Sequence, residues 1–283
     1  MVSKKTRFGI TGASGFVGSH LKLALEKQYS VLQFKRKRGE KLPDIVRLQE
    51  FAKNVDVIFH LAGVNRGSEE EIINGNILWT YRLTQALKSI QSAPRVIFAS
   101  SAQVYRPIYR PITERDKPRP ETLYGLTKLS AEGILLASDL DCKILRLSNV
   151  YGPGCRPDYN SAIATFCYRS INRKPLTING DGLQGRDFVY VTDIIKAFIL
   201  AAKIKSRIKI FNVSSGKIVS LRSILNQISR HISGLQVKYT NDDREFSYCC
   251  DFSRFKKQCG WIPKISLKKG INNTLEFFKN ATN

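Results

Sequence analysis

Tyr124 and Lys128 stand four residues apart in Tyr-Gly-Leu-Thr-Lys, a spacing that puts both on one face of a helix. A phenol with a pKa near 10 needs about 4 kcal/mol of help to act as a base at neutral pH. A lysine ammonium about 4 Å away, at an effective dielectric of about 20, supplies roughly that much. The pair suits reversible proton transfer to a hydroxyl while a hydride moves to or from a nicotinamide. Upstream, Thr11-Gly12-Ala13-Ser14-Gly15-Phe16-Val17-Gly18 lies between an apolar run and an amphipathic stretch. Glycines there permit a tight turn, close approach of backbone to a pyrophosphate, and packing of helix on strand. Ser14 and the N–H groups of a helix beginning at Phe16 and Val17 would face the phosphates.

These residues need a scaffold, and the first half of the chain alternates apolar runs with amphipathic stretches, the pattern of βαβ units feeding a parallel sheet. Strands are expected at Arg7–Thr11, Tyr29–Phe34, Val55–Leu61, Arg95–Ala99 and Cys142–Leu147. Helices are expected from about Phe16 to Lys27, Glu70 to Ser89 and Thr122 to Ser138. Leu61, Ala62 and Gly63, at the end of the third strand, join the expected cofactor contacts, as do Tyr124 and Lys128. The four prolines of residues 106–120 read as a surface loop. The fold class is α/β: a Rossmann doubly wound parallel sheet over residues 1–150 and a smaller C-terminal substrate-binding domain over 151–283. Some segments after residue 185 are expected to return to the first domain.

The second strand runs into Gln33-Phe34-Lys35-Arg36-Lys37-Arg38, with no acid and four consecutive cations. A carboxylate there would accept hydrogen bonds from the adenosine ribose and repel a 2′-phosphate. Its absence favours NADP(H) over NAD(H), with Lys35 or Arg36 on the phosphate.

The Gly-x-x-Gly-x-x-Gly spacing, together with Tyr124 and Lys128, resembles the short-chain dehydrogenase/reductase superfamily. Length and the C-terminal half resemble its extended branch, the epimerase/dehydratase family that modifies sugar nucleotides. The resemblance covers nearly the whole chain. It implies that Ser101, at the end of the fourth strand, hydrogen-bonds the reacting oxygen. Family dehydratases resemble Thr-Asp-Glu at this place, whereas this chain has Ser101-Ala102-Gln103. Neither Ala102 nor Gln103 can serve as the acid or base of an elimination, so a 4,6-dehydratase is not expected. Residues 146–158 and 180–191 are similar to two segments of hexose 4-epimerases. By that resemblance Asn149 hydrogen-bonds the substrate near its diphosphate, Arg186 pairs with a phosphate, and Arg244 adds a second phosphate contact. Arg106 departs from the glycine usual after Val104-Tyr105. The interval from the second strand to Val55 is too short to place the usual acidic adenine contact.

The leading expectation is a 4-epimerase of a UDP-hexose-like sugar nucleotide, with an NADPH-dependent 4-keto-sugar reductase as the alternative. A non-catalytic nucleotide- or nucleic-acid-binding protein is a third class, motivated by the formal net charge of +23. No nucleic-acid module accompanies that charge, so a solvated basic surface is expected and no nucleic-acid partner. The resemblance implies a homodimer through two helices, one carrying Tyr124. Six cysteines without a Cys-x-x-Cys pair read as reduced thiols, and three scattered histidines give no metal site. With no apolar run of membrane-span length and no signal-peptide core, a cytoplasmic protein is expected.

Overall fold

The computed structural model describes residues 6–37, 39–159, 161–240 and 247–282. Its elements begin with β1 (Arg7–Thr11), α1 (Phe16–Glu26), β2 (Ser30–Phe34), α2 (Ile45–Lys53) and β3 (Val57–His60). They continue through α3 (Glu69–Ile73), a π-helical turn (Asn74–Leu78), α4 (Trp79–Lys88), β4 (Arg95–Ser101), α5 (Leu123–Leu136) and β5 (Cys142–Leu147). Next come β6 (Asn149–Tyr151), α6 (Ala162–Ile171), β7 (Leu176–Asn179), β8 (Gly185–Arg186), β9 (Phe188–Tyr190), α7 (Val191–Ala201) and β10 (Ile210–Val213). The chain closes with β11 (Val219–Ser220), α8 (Leu221–Ser229), β12 (Val237–Thr240), α9 (Ser253–Cys259) and α10 (Leu267–Thr282).

Two compact units result. The first contains residues 1–106, 116–147 and 195–211; the second contains 107–115, 148–194 and 212–283. The central six-stranded sheet runs β10-β5-β4-β3-β1-β2. Parallel pairing joins β1 to β2 on one side and to β3 on the other. Strand order therefore reverses at β1, and the crevice beyond its carboxyl end is where a doubly wound sheet binds ligands. The strands are apolar on both faces because helices cover both, as parallel sheets require. Ile58, Val96, Phe98 and Ile144 pack with Leu83 and Leu87 of α4 and Ala131 and Leu135 of α5. β2 ends the sheet, where the common doubly wound order carries one strand more.

Three local features differ from the sequence reading. α2 was not anticipated; Asp44 caps it by accepting from Arg47 N at 2.9 Å, and Leu48 and Ala52 are its buried residues. The single helix expected over residues 70–89 is two helices joined by the π turn. Pro107–Arg115 is no mere surface loop but part of the second unit: Ile112 is buried and exchanges backbone hydrogen bonds with Cys249 (2.9 Å) and Asp251 (2.8 Å). In that unit Asp193 receives Lys264 N and Ile265 N, each at 2.8 Å, while its carbonyl takes the Trp261 indole at 2.9 Å. The six cysteines are free thiols, five of them buried.

Candidate active site

The glycine loop turns at Gly12, whose φ of +74° favours glycine. Gly15 N donates to Gly12 O at 3.0 Å and becomes the cap of α1. Gly18 packs against the turn so closely that a Cβ built on it would stand 2.1 Å from Gly12 O. Gly18→Ala is therefore expected to cost about 3 kcal/mol, read as a lower thermal midpoint together with loss of dinucleotide binding. With no side chain capping α1 and no acid in its first turn, its leading N–H groups are left for an anion. A cavity of 1070 Å³ opens against this loop. Gly12, Ser14, Gly15, Lys35, Arg36, Leu61, Ala62 and Gly63 of the predicted set line it, whereas Phe16, Val17, Gly18, Tyr124 and Lys128 do not. A glycine cradle of this kind, closed to any side chain, fits a dinucleotide pyrophosphate.

Basic side chains gather past the end of β2. Lys35, Arg36, Lys37 and Lys41 line the cavity, and Arg66, missed in the sequence, joins them from the loop after β3. Arg36 is steadied by donating to the carbonyls of Glu40 (3.3 Å) and Lys41 (3.1 Å). Glu40, the carboxylate of this turn that lines the cavity, is committed elsewhere. It takes Arg47 Nη1 at 3.1 Å and the backbone N–H groups of Lys37 (2.6 Å) and Asp44 (3.1 Å). Burial alone would raise its pKa, but these bonds outweigh it and leave it lowered. Glu40 thus acts as a fixed anion that shapes the turn.

Ser101, Tyr124 and Lys128 come from two neighbouring elements. Ser101 ends β4 and accepts Gln103 N at 3.1 Å. Tyr124 and Lys128 follow from the cap of α5, where Thr122 Oγ1 accepts Gly125 N at 3.0 Å. Lys128 Nζ donates to Ala99 O at 2.7 Å and stands 4.7 Å from the Phe98 ring centre and 5.9 Å from that of Tyr124. Burial lowers its pKa to about 8, with Glu132 opposing the shift. The ammonium also reaches the cavity wall: a Cβ on Gly63 would lie 3.3 Å from Nζ and 2.7 Å from Asn76 Oδ1. Only glycine leaves both polar groups their place.

Asn76 and His60 were not singled out in the sequence, yet they hold this arrangement together. Asn76, buried in the π turn, accepts Val64 N (3.1 Å) and donates to Val64 O (2.8 Å) and Thr127 Oγ1 (3.0 Å). It therefore ties the loop after β3 to α5. π turns often mark functional sites. His60 bridges Thr11 Oγ1 (2.8 Å) and Thr80 Oγ1 (3.0 Å). Thr80 gives its own proton to Asn76 O at 2.7 Å, so it must accept from His60 Nε2–H, and Nδ1 accepts from Thr11. Burial and the nearby Lys128 charge lower the His60 pKa to about 3, which keeps it neutral. The signal was a polar residue closing an apolar strand and an asparagine after glycine inside a helical period.

Beneath this lies a buried ion pair. Glu132, one turn past Lys128, takes Arg146 Nε on Oε1 (3.0 Å) and Nη2 on Oε2 (2.5 Å), and Ser100 Oγ also donates to Oε1. Arg146 Nη1 donates to Tyr105 Oη at 2.7 Å. Ser100 thus anchors α5 to β4 rather than merely shaping a turn.

In the second unit, Asn149 Nδ2 donates to Asp187 O at 2.9 Å. Arg186 donates to Gly185 O (2.9 Å) and lies 5.8 Å from the Tyr248 ring centre. Asp187 is buried and receives Ser215 N, Ser215 Oγ and Gly216 N at 2.7–3.0 Å; burial raises its pKa to about 6 against those bonds. Asn149 and Arg186 are therefore held next to one peptide. Arg244 lies outside the described residues.

Residues 9–214 match the NAD dependent epimerase/dehydratase family. A UDP-2-acetamido-2,6-beta-L-arabino-hexul-4-ose reductase of Pseudomonas aeruginosa is 37% identical over 67% of this chain, which spans about half (48%) of that relative's length. A putative UDP-glucose 4-epimerase of Methanocaldococcus jannaschii is 30% identical over 96% of this chain and 98% of its own. The UDP-glucuronic acid 4-epimerase of Bacillus cereus, solved with UDP-glucuronic acid and NAD, is 27% identical and superposes with a TM-score of 0.87 over 97% of this chain and 99% of that one. Structures of this fold carry NAD in one case and NADPH in another. The chain belongs to the NAD-dependent epimerase/dehydratase family, a family of nucleotide-sugar enzymes on a Rossmann sheet.

Proposed function

We propose that the chain reduces a 4-keto UDP-sugar with NADPH. The observation that carries this reading is the turn after β2, where Lys35, Arg36, Lys37 and Lys41 line the cavity and Glu40 beside them is consumed by Arg47 and backbone N–H groups; Glu70 and Glu71 of α3 also line the cavity, Glu70 pairing with Lys41. That charge suits a 2′-phosphate. The similarity to a hexul-4-ose reductase supports the direction of reaction. Gly12, Ser14, Gly15 and Ala62 would hold the dinucleotide, with Lys35 and Arg36 on its phosphate. The cofactor, when bound, supplies the hydride. Tyr124 gives its proton to the C4 oxygen, Ser101 donates a hydrogen bond to the same oxygen, and Lys128 stabilises the phenolate left on Tyr124. Asn149 and Arg186 bind the substrate's diphosphate end, and Arg244 is kept as a proposed phosphate contact.

Arg36→Ala is expected to shift the NADPH-over-NADH preference in kcat/KM by about tenfold or more towards NADH, the worth of one charge-assisted hydrogen bond. Initial rates with each cofactor check this. Because Lys128 is charged below about pH 8 and neutral above it, kcat/KM should fall as pH rises through about 8. Lys128→Met should remove that limb from the profile.

The second reading is 4-epimerisation of a UDP-hexose, with the hydride returned to the other face of the sugar; whole-chain similarity to a UDP-glucuronic acid 4-epimerase favours it. Incubating the purified protein with UDP-hexoses and no added cofactor separates the two. Interconversion would overturn the reductase reading; NADPH oxidation on a 4-keto sugar without interconversion would support it. Exposed Tyr81 on α4 and Leu126 on α5 support pairing of two chains through these helices, which sedimentation equilibrium tests. Among the described residues no helix is long and apolar enough to cross a membrane. The free cysteines support a reducing, cytoplasmic setting.

A further inference from the structure

Gln103 lies between the two groups proposed to handle the sugar oxygen. Its N–H donates to Ser101 Oγ at 3.1 Å. Its carbonyl abuts the start of α5, since a Cβ on Gly125, the residue after Tyr124, would stand 2.2 Å from Gln103 O. Its side chain reaches the cap of that helix, with Thr122 Oγ1 and Gln103 Oε1 separated by 3.2 Å. This contact fixes which way the carboxamide faces. Thr122 Oγ1 accepts Gly125 N at 3.0 Å and gives its hydroxyl proton to Gln103 Oε1. Only the carbonyl end of an amide can take that proton. The two N–H donors of Nε2 are then turned away from Thr122, and they have no acceptor among the described residues. Gln103 is partly exposed, so a ligand can reach them.

We infer that Gln103 is a specificity-determining residue whose Nε2 donates a hydrogen bond to an oxygen of the hexose, on the reacting carbon or the one beside it. It selects sugars that carry a keto or hydroxyl oxygen there. Unlike a carboxylic acid, the amide can do so without taking or losing a proton, so recognition is obtained without opening a route to elimination. The inference rests on the reading of the chain as an enzyme of C4 hydride transfer.

Gln103→Glu tests it in the full-length protein. This variant keeps an oxygen for Thr122 but replaces the donors with acceptors near neutral pH. We expect kcat/KM for a 4-keto UDP-hexose to fall about thirtyfold, and affinity for UDP-glucose in titration calorimetry to weaken. The deficit should shrink as pH is lowered towards the ordinary glutamate value of about 4.3, where the acid form regains a donor. Gln103→Leu should show a similar deficit with no such recovery. Charged and titratable groups in the adjoining elements are Tyr124, Lys128 and Glu132 on α5, Arg146 on β5, and the Arg106–Glu121 ion pair at 3.1 Å. Their titration is removed by profiling the wild type in parallel. If Gln103→Glu matches the wild type at every pH while Gln103→Leu is impaired, the side chain only braces the helix cap and the inference is overturned. A wild type that turns over no 4-keto sugar overturns the functional reading instead, and the calorimetric comparison still decides the role of Gln103.

Discussion

Tyr124→Phe is expected to lower kcat by about three orders of magnitude, while affinity for NADPH stays within a few-fold of the wild type. The substitution removes one hydroxyl from a half-buried ring on α5 and leaves Lys128 bonded to Ala99 O. The glycine cradle and the basic turn lie on other elements, so cofactor binding has no reason to change. Stopped-flow reduction of a 4-keto sugar, with fluorescence titration of NADPH, separates the two quantities. Equal turnover by the variant would remove Tyr124 from the chemistry and revive a purely binding role for this fold.

The largest expected loss of stability follows Glu132→Gln. Glu132 and Arg146 have side chains only 1% and 3% exposed, and no solvent can replace a lost partner. Removing one charge strands the other in a low-dielectric interior, which costs about 3–5 kcal/mol. Replacing both with Met should cost less than the single change, because a buried pair is worth little over well-packed apolar residues. Denaturant midpoints of Glu132→Met, Arg146→Met and the double variant complete the cycle. An additive double variant would show that the pair is not coupled. Since Glu132 joins α5 to β4 through Ser100 and to β5 through Arg146, turnover should fall in Glu132→Gln even below its melting range.

What the sequence disclosed was local. β1, the glycine turn and α1 form one short stretch in which apolar periodicity and glycine spacing act on the same few residues. The Tyr124–Lys128 spacing was legible for the same reason, as was the order of strands up to β5. α2 escaped because it is only nine residues long and much of its definition comes from Asp44 and Arg47 gripping the turn before it. The roles of His60 and Asn76 escaped because their partners are up to 51 positions away in sequence, at Thr11, Thr80 and Thr127. Ile112 was misread because proline and charge density describe a segment's own tendencies, not the backbone of Cys249 and Asp251 that it meets.

β2 is the last strand of its sheet, and among the described residues between Phe34 and α2 there is no further strand outside it. The cavity that begins at Gly12 therefore ends at the rim of the domain, against a short basic turn. This geometry sets a residence time. An adenosine moiety held at a rim by salt-screened charges dissociates readily at physiological ionic strength. Cofactor release should then quicken with added salt, the behaviour that the proposed reductase cycle, consuming a fresh reduced dinucleotide at each turnover, requires.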